Sequence, residues 1–360
     1  RVVERRNTLP ILSNLVLEAT PAGLRLRATD LDMEISTLVT AEVDEPGAIT
    51  VPAARLHDIV GKLGDGQVRI EAAGNTASEV KITAGRARFW LPALPTSDYP
   101  SLDAGELPWS FALPADLFGA ALDAVGFAIS TEETRYYLNG VFLHAATVAG
   151  ADRLAFVATD GHRLSLVRRD LPEGASGMPG VIVPRKTVAE ISKLCRGNPK
   201  EARLALSDGK IRFELGDTVL LSKLIDGAFP DYDRVIPTGA TTFATLARAE
   251  VKDAADRVLT VAGERGRAIK ATFDAGATEM RLEVVNPDAG QAAETLGLGS
   301  IDGDGVVIGL NGRYLVDALE AMSGDAIRLG LSDPGSPVLM TPADDPEGAR
   351  RLVVVMPMRV

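Results

Sequence analysis

The sequence predicts an α+β fold: three tandem copies of one unit, each an antiparallel sheet array with two helices on one side. Three observations predict it. Short stretches recur about 130 residues apart, apolar and polar residues alternate over strand-length segments, and helical spacing is confined to two short stretches per unit.

Val51 to Leu63 is echoed by Val183 to Leu194, with Pro52 matching Pro184 and Asp58 matching Glu190, both 132 residues apart. A third copy begins near Asn311, where Asp58 matches Asp317 and Val68-Arg-Ile70 matches Ile327-Arg-Leu329, both 259 apart. Ala28-Thr-Asp30 recurs as Ala158-Thr-Asp160, and Tyr99-Pro100 as Phe229-Pro230, each 130 apart. The strand and helix that open a unit read Phe111 to Val125 in the second copy and Phe243 to Val258 in the third. Arg1-Val-Val aligns with the end of that helix, so the first copy is expected to lack its opening strand and most of its first helix. The expected domains are 1–104, 105–236 and 237–360.

Within a unit, Leu24 to Ala28, Leu154 to Ala158 and Ile211 to Leu215 alternate as half-buried strands. Gly64-Asp-Gly66 and Ser207-Asp-Gly209 suit antiparallel turns. Leu56, Ile59, Val60 and Leu63 form a helical apolar stripe, repeated by Val188, Ile191 and Leu194, and Pro52 and Pro184 suit the helix starts.

Composition narrows the class. Apolar residues are 46% and charged residues 24%, as in folded proteins. Cys195 is the one cysteine and no metal-ligand cluster is visible, which suits a reducing cytoplasm; neither a metal nor a cofactor is expected. No apolar stretch has membrane-spanning length and no signal peptide is evident, so no membrane association is expected. The net charge of −11 disfavours tight, indiscriminate DNA binding by the whole surface but leaves room for a basic face. Arg55, Lys62, Arg185, Lys186, Lys193, Arg196, Arg248, Lys252, Arg257 and Arg313 all fall on helical stretches. If equivalent helices share one side, these cations would attract a phosphate backbone without reading bases.

Seven ordered stretches then carry a resemblance: Thr8 to Asn14, Ala28 to Glu34, Arg135 to Gly140, Ala158 to Leu164, Val181 to Lys186, Ser222 to Tyr232 and Val355 to Arg359. In these, the chain resembles the bacterial DNA polymerase III beta subunit, or beta sliding clamp, family. The resemblance implies a non-enzymatic clamp that encircles double-stranded DNA without sequence preference. It implies a head-to-tail homodimer ring with helices lining the hole, and Leu91 and Leu259 at the dimer interface. It further implies a groove between the second and third domains for short linear motifs. The partners would be the polymerase III catalytic subunit, the clamp loader, other DNA polymerases and repair proteins.

The matching groove positions are Leu138, Thr159, Gly161, His162, Arg163, Leu164, Pro230, Arg234, Val235, Asn311, Tyr314, Val354, Met356, Pro357, Met358 and Arg359. Of these, Leu164, Pro230, Val235, Val354 and Met356 suit an apolar cup, while His162, Asn311 and Arg359 suit bonds to peptide backbone. The DNA-facing matches are Arg6, Arg55, Tyr136, Tyr137 and Lys186, with Ala54 standing where some relatives carry a basic residue. Two other classes remain as alternatives: an enzyme with Asp160 and His162 as acid and base, and a protein-binding scaffold that never meets DNA.

Overall fold

Segments with one apolar and one polar face, joined by short turns, pair antiparallel and bury one face of the resulting sheet. The computed structural model describes residues 2–3, 9–73, 78–263, 267–345 and 348–360. Five α-helices punctuate the described strands: α1 (Ala53–Val60), α2 (Ala115–Gly126), α3 (Arg185–Cys195), α4 (Arg248–Val258) and α5 (Gly312–Ala321). Among the described residues the first copy contributes α1 alone, whereas the second contributes α2 and α3 and the third α4 and α5.

The chain forms two compact units. The first comprises Arg1–Ala115 and Asn198–Leu224. Its larger sheet runs Gly47–Pro52, Asn14–Thr20, Gly23–Thr29, Met33–Val39, Thr218–Lys223, Lys210–Leu215, Glu201–Leu206, Trp109–Pro114. Its smaller sheet is Val68–Ala73, Glu79–Ala84, Ala87–Pro92. Leu17, Val51, Leu56, Val80, Ile82, Leu91 and Ala93 form a core in this unit.

The second unit comprises Asp116–Gly197 and Ile225–Val360. One sheet runs Val181–Pro184, Gly140–Val148, Ala151–Thr159, Arg163–Asp170, Arg351–Val355, Val338–Pro342, Ala326–Leu331, Thr242–Ala247, Ser300–Asp302. The other runs Gly290–Gly297, Glu279–Asn286, Ala268–Phe273, Val306–Asn311, Pro357–Met358.

The largest sheets therefore do not stop at a repeat boundary. The first copy's Met33–Val39 pairs with the second copy's Thr218–Lys223, and the second copy's Arg163–Asp170 pairs with the third copy's Arg351–Val355. The antiparallel sheets expected of each copy are present, and the larger ones continue across the copy boundaries. A copy that ended its own sheet would leave a strand edge of unpaired backbone groups, and pairing across the boundary removes it.

Other expectations are refined. Ser207-Asp-Gly209 does join two antiparallel strands, but Gly64-Asp-Gly66 links α1 to Val68–Ala73. In the α1 stripe Leu56 is buried, Val60 is 48% exposed, and Leu63 lies past the helix end, since eight residues give little more than two turns. Leu154 to Ala158 is buried on both faces rather than half-buried. Phe156 there meets Phe118 of α2 at 5.6 Å between ring centres, while Ala155 and Val157 pack on the opposite side. Each such buried phenylalanine contributes roughly 1.5–3 kcal/mol. Gly119 lets α2 approach α3, because a Cβ there would stand 2.5 Å from Cys195 Cβ. Cys195 is fully buried, and that burial pushes its thiol up to about 12. Among the described residues no helix is long and apolar enough to cross a membrane, and no group of His, Cys, Asp or Glu is arranged to hold a metal ion.

Candidate functional site

Thr159 to Arg163 form a turn whose side chains build their own backbone. Asp160 Oδ1 accepts from the His162 and Arg163 amides at 2.9 and 3.0 Å. Thr159 Oγ1 donates to Arg163 O at 2.7 Å and accepts from Gly161 N at 3.1 Å. Gly161 sits at φ +87°, and a Cβ would stand 2.8 Å from an Arg135 guanidinium nitrogen. The first copy repeats the design: Asp30 Oδ1 takes the Asp32 and Met33 amides, Thr29 Oγ1 bonds Met33 O, and Leu31 holds φ 80°. The recurring Ala-Thr-Asp is thus a turn signature in both places. Asp160 spends its second oxygen on Arg163 Nε at 3.0 Å, so its carboxylate is committed to structure rather than poised beside the His162 imidazole as a base.

Arg163 is the organising side chain. Its side chain is 11% exposed, and it pairs with both Asp160 and Asp317 of α5, the latter at 2.7 Å. Its guanidinium also lies over the rings of Tyr314 and Phe127, at 4.3 and 5.1 Å. Arg313 bonds the other oxygen of Asp317 at 3.0 Å. The second copy's turn is thereby fixed to the third copy's helix, and Tyr314 in turn faces the His162 ring at 6.3 Å. Asp317 was read only as a repeat position, and Phe127 not at all, so neither was expected in this cluster. An Arg-x-x-x-Asp spacing on one helix was the available signal for Asp317, and nothing local pointed to Phe127.

The apolar part of the surface is built on the opposite face of the same strands. Leu164, Leu352 and Val354 are buried with Tyr232, and Phe229 and Ile236 pack against them. The intervening segment leaves Pro230, Arg234 and Val235 exposed, the last at 48%. Leu164 and Val354 of this cluster are each 2% exposed, and Leu138 and Thr159 are buried too, at 4% and 9%. Met356 and Met358 are 38% and 39% exposed, Pro357 half-buried and Arg359 exposed. Met356 N donates to His162 O at 2.8 Å, so the terminal segment is laid along the Thr159 to Arg163 turn. Asn311 Oδ1 accepts from Arg313 N and Tyr314 N as the cap of α5, leaving its NH2 group as what it can offer a ligand.

The DNA-facing expectations are more dispersed. Tyr136 is 54% exposed and its ring meets the half-buried Tyr137 edge-on at 5.8 Å. Arg55 is exposed on α1, Lys186 is half-buried on α3, and Arg6 lies outside the described residues. Several helix cations are engaged with neighbouring acids: Lys252 with Asp256 and Glu320, Arg257 with Glu294, Arg196 with Asp123. Leu91 is 7% exposed in its own core, and Leu259 is half-buried, with its side chain against Gly312. On the same strand as Leu91, Trp90 is an exposed large apolar residue, at 55%.

Comparison with known proteins accounts for the whole chain. Family models of the DNA polymerase III beta subunit match in sequence order: N-terminal domain at 1–103, central domain at 112–231 and C-terminal domain at 233–359. The beta sliding clamp of Caulobacter vibrioides is 45% identical, over 100% of this chain and 95% of that protein. A crystal structure of a DnaN sliding clamp from Bartonella birtlesii bound to griselimycin superposes with TM-score 0.94 at 43% identity, covering 100% of this chain and 94% of that one. The DNA polymerase III beta subunit of Pseudomonas aeruginosa superposes with TM-score 0.89 at 34% identity, covering 100% and 95%. The chain therefore belongs to the DNA polymerase III beta subunit family, the beta sliding clamps.

Proposed function

We propose that this chain is a non-catalytic processivity clamp whose repeats, 1–104, 105–236 and 237–360, close head to tail with a second copy into a ring around duplex DNA. The observation that carries this reading is a recurrence in strand pairing. The third strand of the first copy's sheet pairs with Thr218–Lys223 of the second copy, and the equivalent strand of the second copy pairs with Arg351–Val355, the corresponding strand of the third. By the same pattern the third copy's strand, Gly290–Gly297, calls for a first-copy last strand, Ala87–Pro92. Each of these terminates its own sheet among the described residues. Pairing them between two chains would join the five-stranded and three-stranded sheets as the other junctions are joined, and a repeated heterologous contact of this kind closes into a ring. In this reading Leu91 and Leu259 back the contact from within their own cores, and Trp90 lies on the pairing strand.

Duplex DNA would be held by enclosure, with Arg6, Arg55, Tyr136, Tyr137 and Lys186 making weak, sequence-independent contacts. The surface formed by His162, Arg163, Pro230, Val235, Tyr314 and Met356 to Arg359 over its buried floor would take short motifs from polymerases, the clamp loader and repair proteins. Exposed methionines adapt to differing apolar side chains, which suits one surface serving several partners. Native mass measurement together with low-resolution imaging tests the assembly: two chains in a ring with a central hole are expected. A compact monomer at micromolar concentration would contradict it.

A further inference from the structure

A part-buried polar contact lies behind the proposed groove. His144, on Gly140–Val148, places Nδ1 3.0 Å from Ala145 O and Nε2 2.9 Å from the Tyr232 hydroxyl. A carbonyl oxygen can only accept, so Nδ1 carries the proton and the neutral ring's Nε2 accepts from Tyr232. The His144 ring stacks on Phe142 at 4.5 Å between centres, and Phe142 stacks on Phe229 at 4.8 Å with an interplanar angle of 6°. Phe229 and Tyr232 are the residues by which the segment bearing Pro230, Arg234 and Val235 is held down, and Tyr232 is only 8% exposed.

We propose that His144 is a positioning residue for the motif-binding groove, holding the Phe229 to Ile236 wall in its binding form through Tyr232 and Phe142 only while its imidazole is neutral. The inference rests on the groove reading given above. A protonated Nε2 would donate to the Tyr232 oxygen, leaving the buried Tyr232 O–H to find another acceptor and placing a charge against the Phe142 ring. The charged groups near the ring offset one another: Asp233 on the wall favours the imidazolium, whereas Arg168 on Arg163–Asp170 opposes it. Burial is the largest influence and holds His144 below the usual histidine value. The sign follows: a site that needs the neutral form is intact above the ordinary histidine range and weakens as pH falls through the lowered value.

The test uses the full-length protein and a short rhodamine-labelled synthetic peptide ending in Leu-Phe, titrated by anisotropy between about pH 7.5 and about pH 5. Wild-type affinity is expected to fall about three- to tenfold over that range, and His144→Gln is expected to stay within about twofold. Parallel pH profiles for the two proteins overturn the proposal, since His162 is common to both. Should His144→Gln fail to fold, imidazole NMR of the wild type decides instead. His144 is one of only three histidines, and saturating peptide must lower its titration midpoint further by reciprocity. An unchanged midpoint overturns the proposal as well. Absence of peptide binding at every pH would instead sink the groove reading on which it rests.

Discussion

Replacing Arg163 by Met keeps most of the aliphatic bulk of the side chain but removes its charge. Asp160 and Asp317, with side chains 16% and 15% exposed, then face each other with one guanidinium fewer. Removing one partner of a largely buried ion pair costs about 3–5 kcal/mol. Asp317 retains Arg313 at 3.0 Å and both acids keep some water, which places the expected loss near the lower end, about 3 kcal/mol. Loss of the stacking over Tyr314 and Phe127 adds about 0.5–1 kcal/mol each. Asp317→Asn alone should cost about 1–2 kcal/mol, and the double variant about 1–2 kcal/mol less than the sum, since the second change removes the charge that the first left unpaired. Native-state hydrogen exchange is the suitable assay, read at the Met356 amide that bonds His162 O. A loss under about 1 kcal/mol for Arg163→Met, or strict additivity, would refute the view of Arg163 as the tie between turn and helix.

Two further outcomes are expected. Gly119→Ala should gain about 1 kcal/mol of helix propensity yet destabilise overall by about 1–2 kcal/mol, because its methyl meets Cys195 Cβ. Urea unfolding should show rescue by Cys195→Gly and none by Cys195→Ala; a stabilised single variant would mean that α2 and α3 can separate freely. Deleting Met356 to Val360 should abolish binding of motif peptides while sparing the Arg351–Val355 pairing, and unchanged calorimetry would remove the terminal segment from the groove.

The repeat was legible because it is written in turn chemistry. Thr29-Asp30 and Thr159-Asp160 fold their own backbones through local hydrogen bonds, so the same letters recur wherever the same turn is needed. Strands showed equally well where one face meets water, as in Gly23–Thr29. Leu154 to Ala158 misled because burial on both faces imposes no alternation of environment, whatever alternation its letters suggest. Strand pairing across copies was invisible, since partners such as Met33 and Ser222 lie far apart in sequence and backbone pairing leaves no local mark. For the proposed groove, the resemblance supplied the positions, and the structure shows Leu164 and Val354 buried, Val235 and Met356 exposed and Asn311 capping a helix. Asp317, His144 and Tyr232 carry no motif of their own, because each meets its surroundings through a neighbouring side chain.

The central claim is that this protein stays on DNA by enclosing it and not by gripping it. Retention on nicked circular DNA after loading by a clamp loader, followed by linearisation with a restriction enzyme at constant salt, tests that claim most directly. The account predicts stable association with the circle and rapid loss once free ends exist, with sliding off the ends blocked by bulky end-bound proteins. Equal retention on circular and linear DNA, or no loading on either, would contradict it.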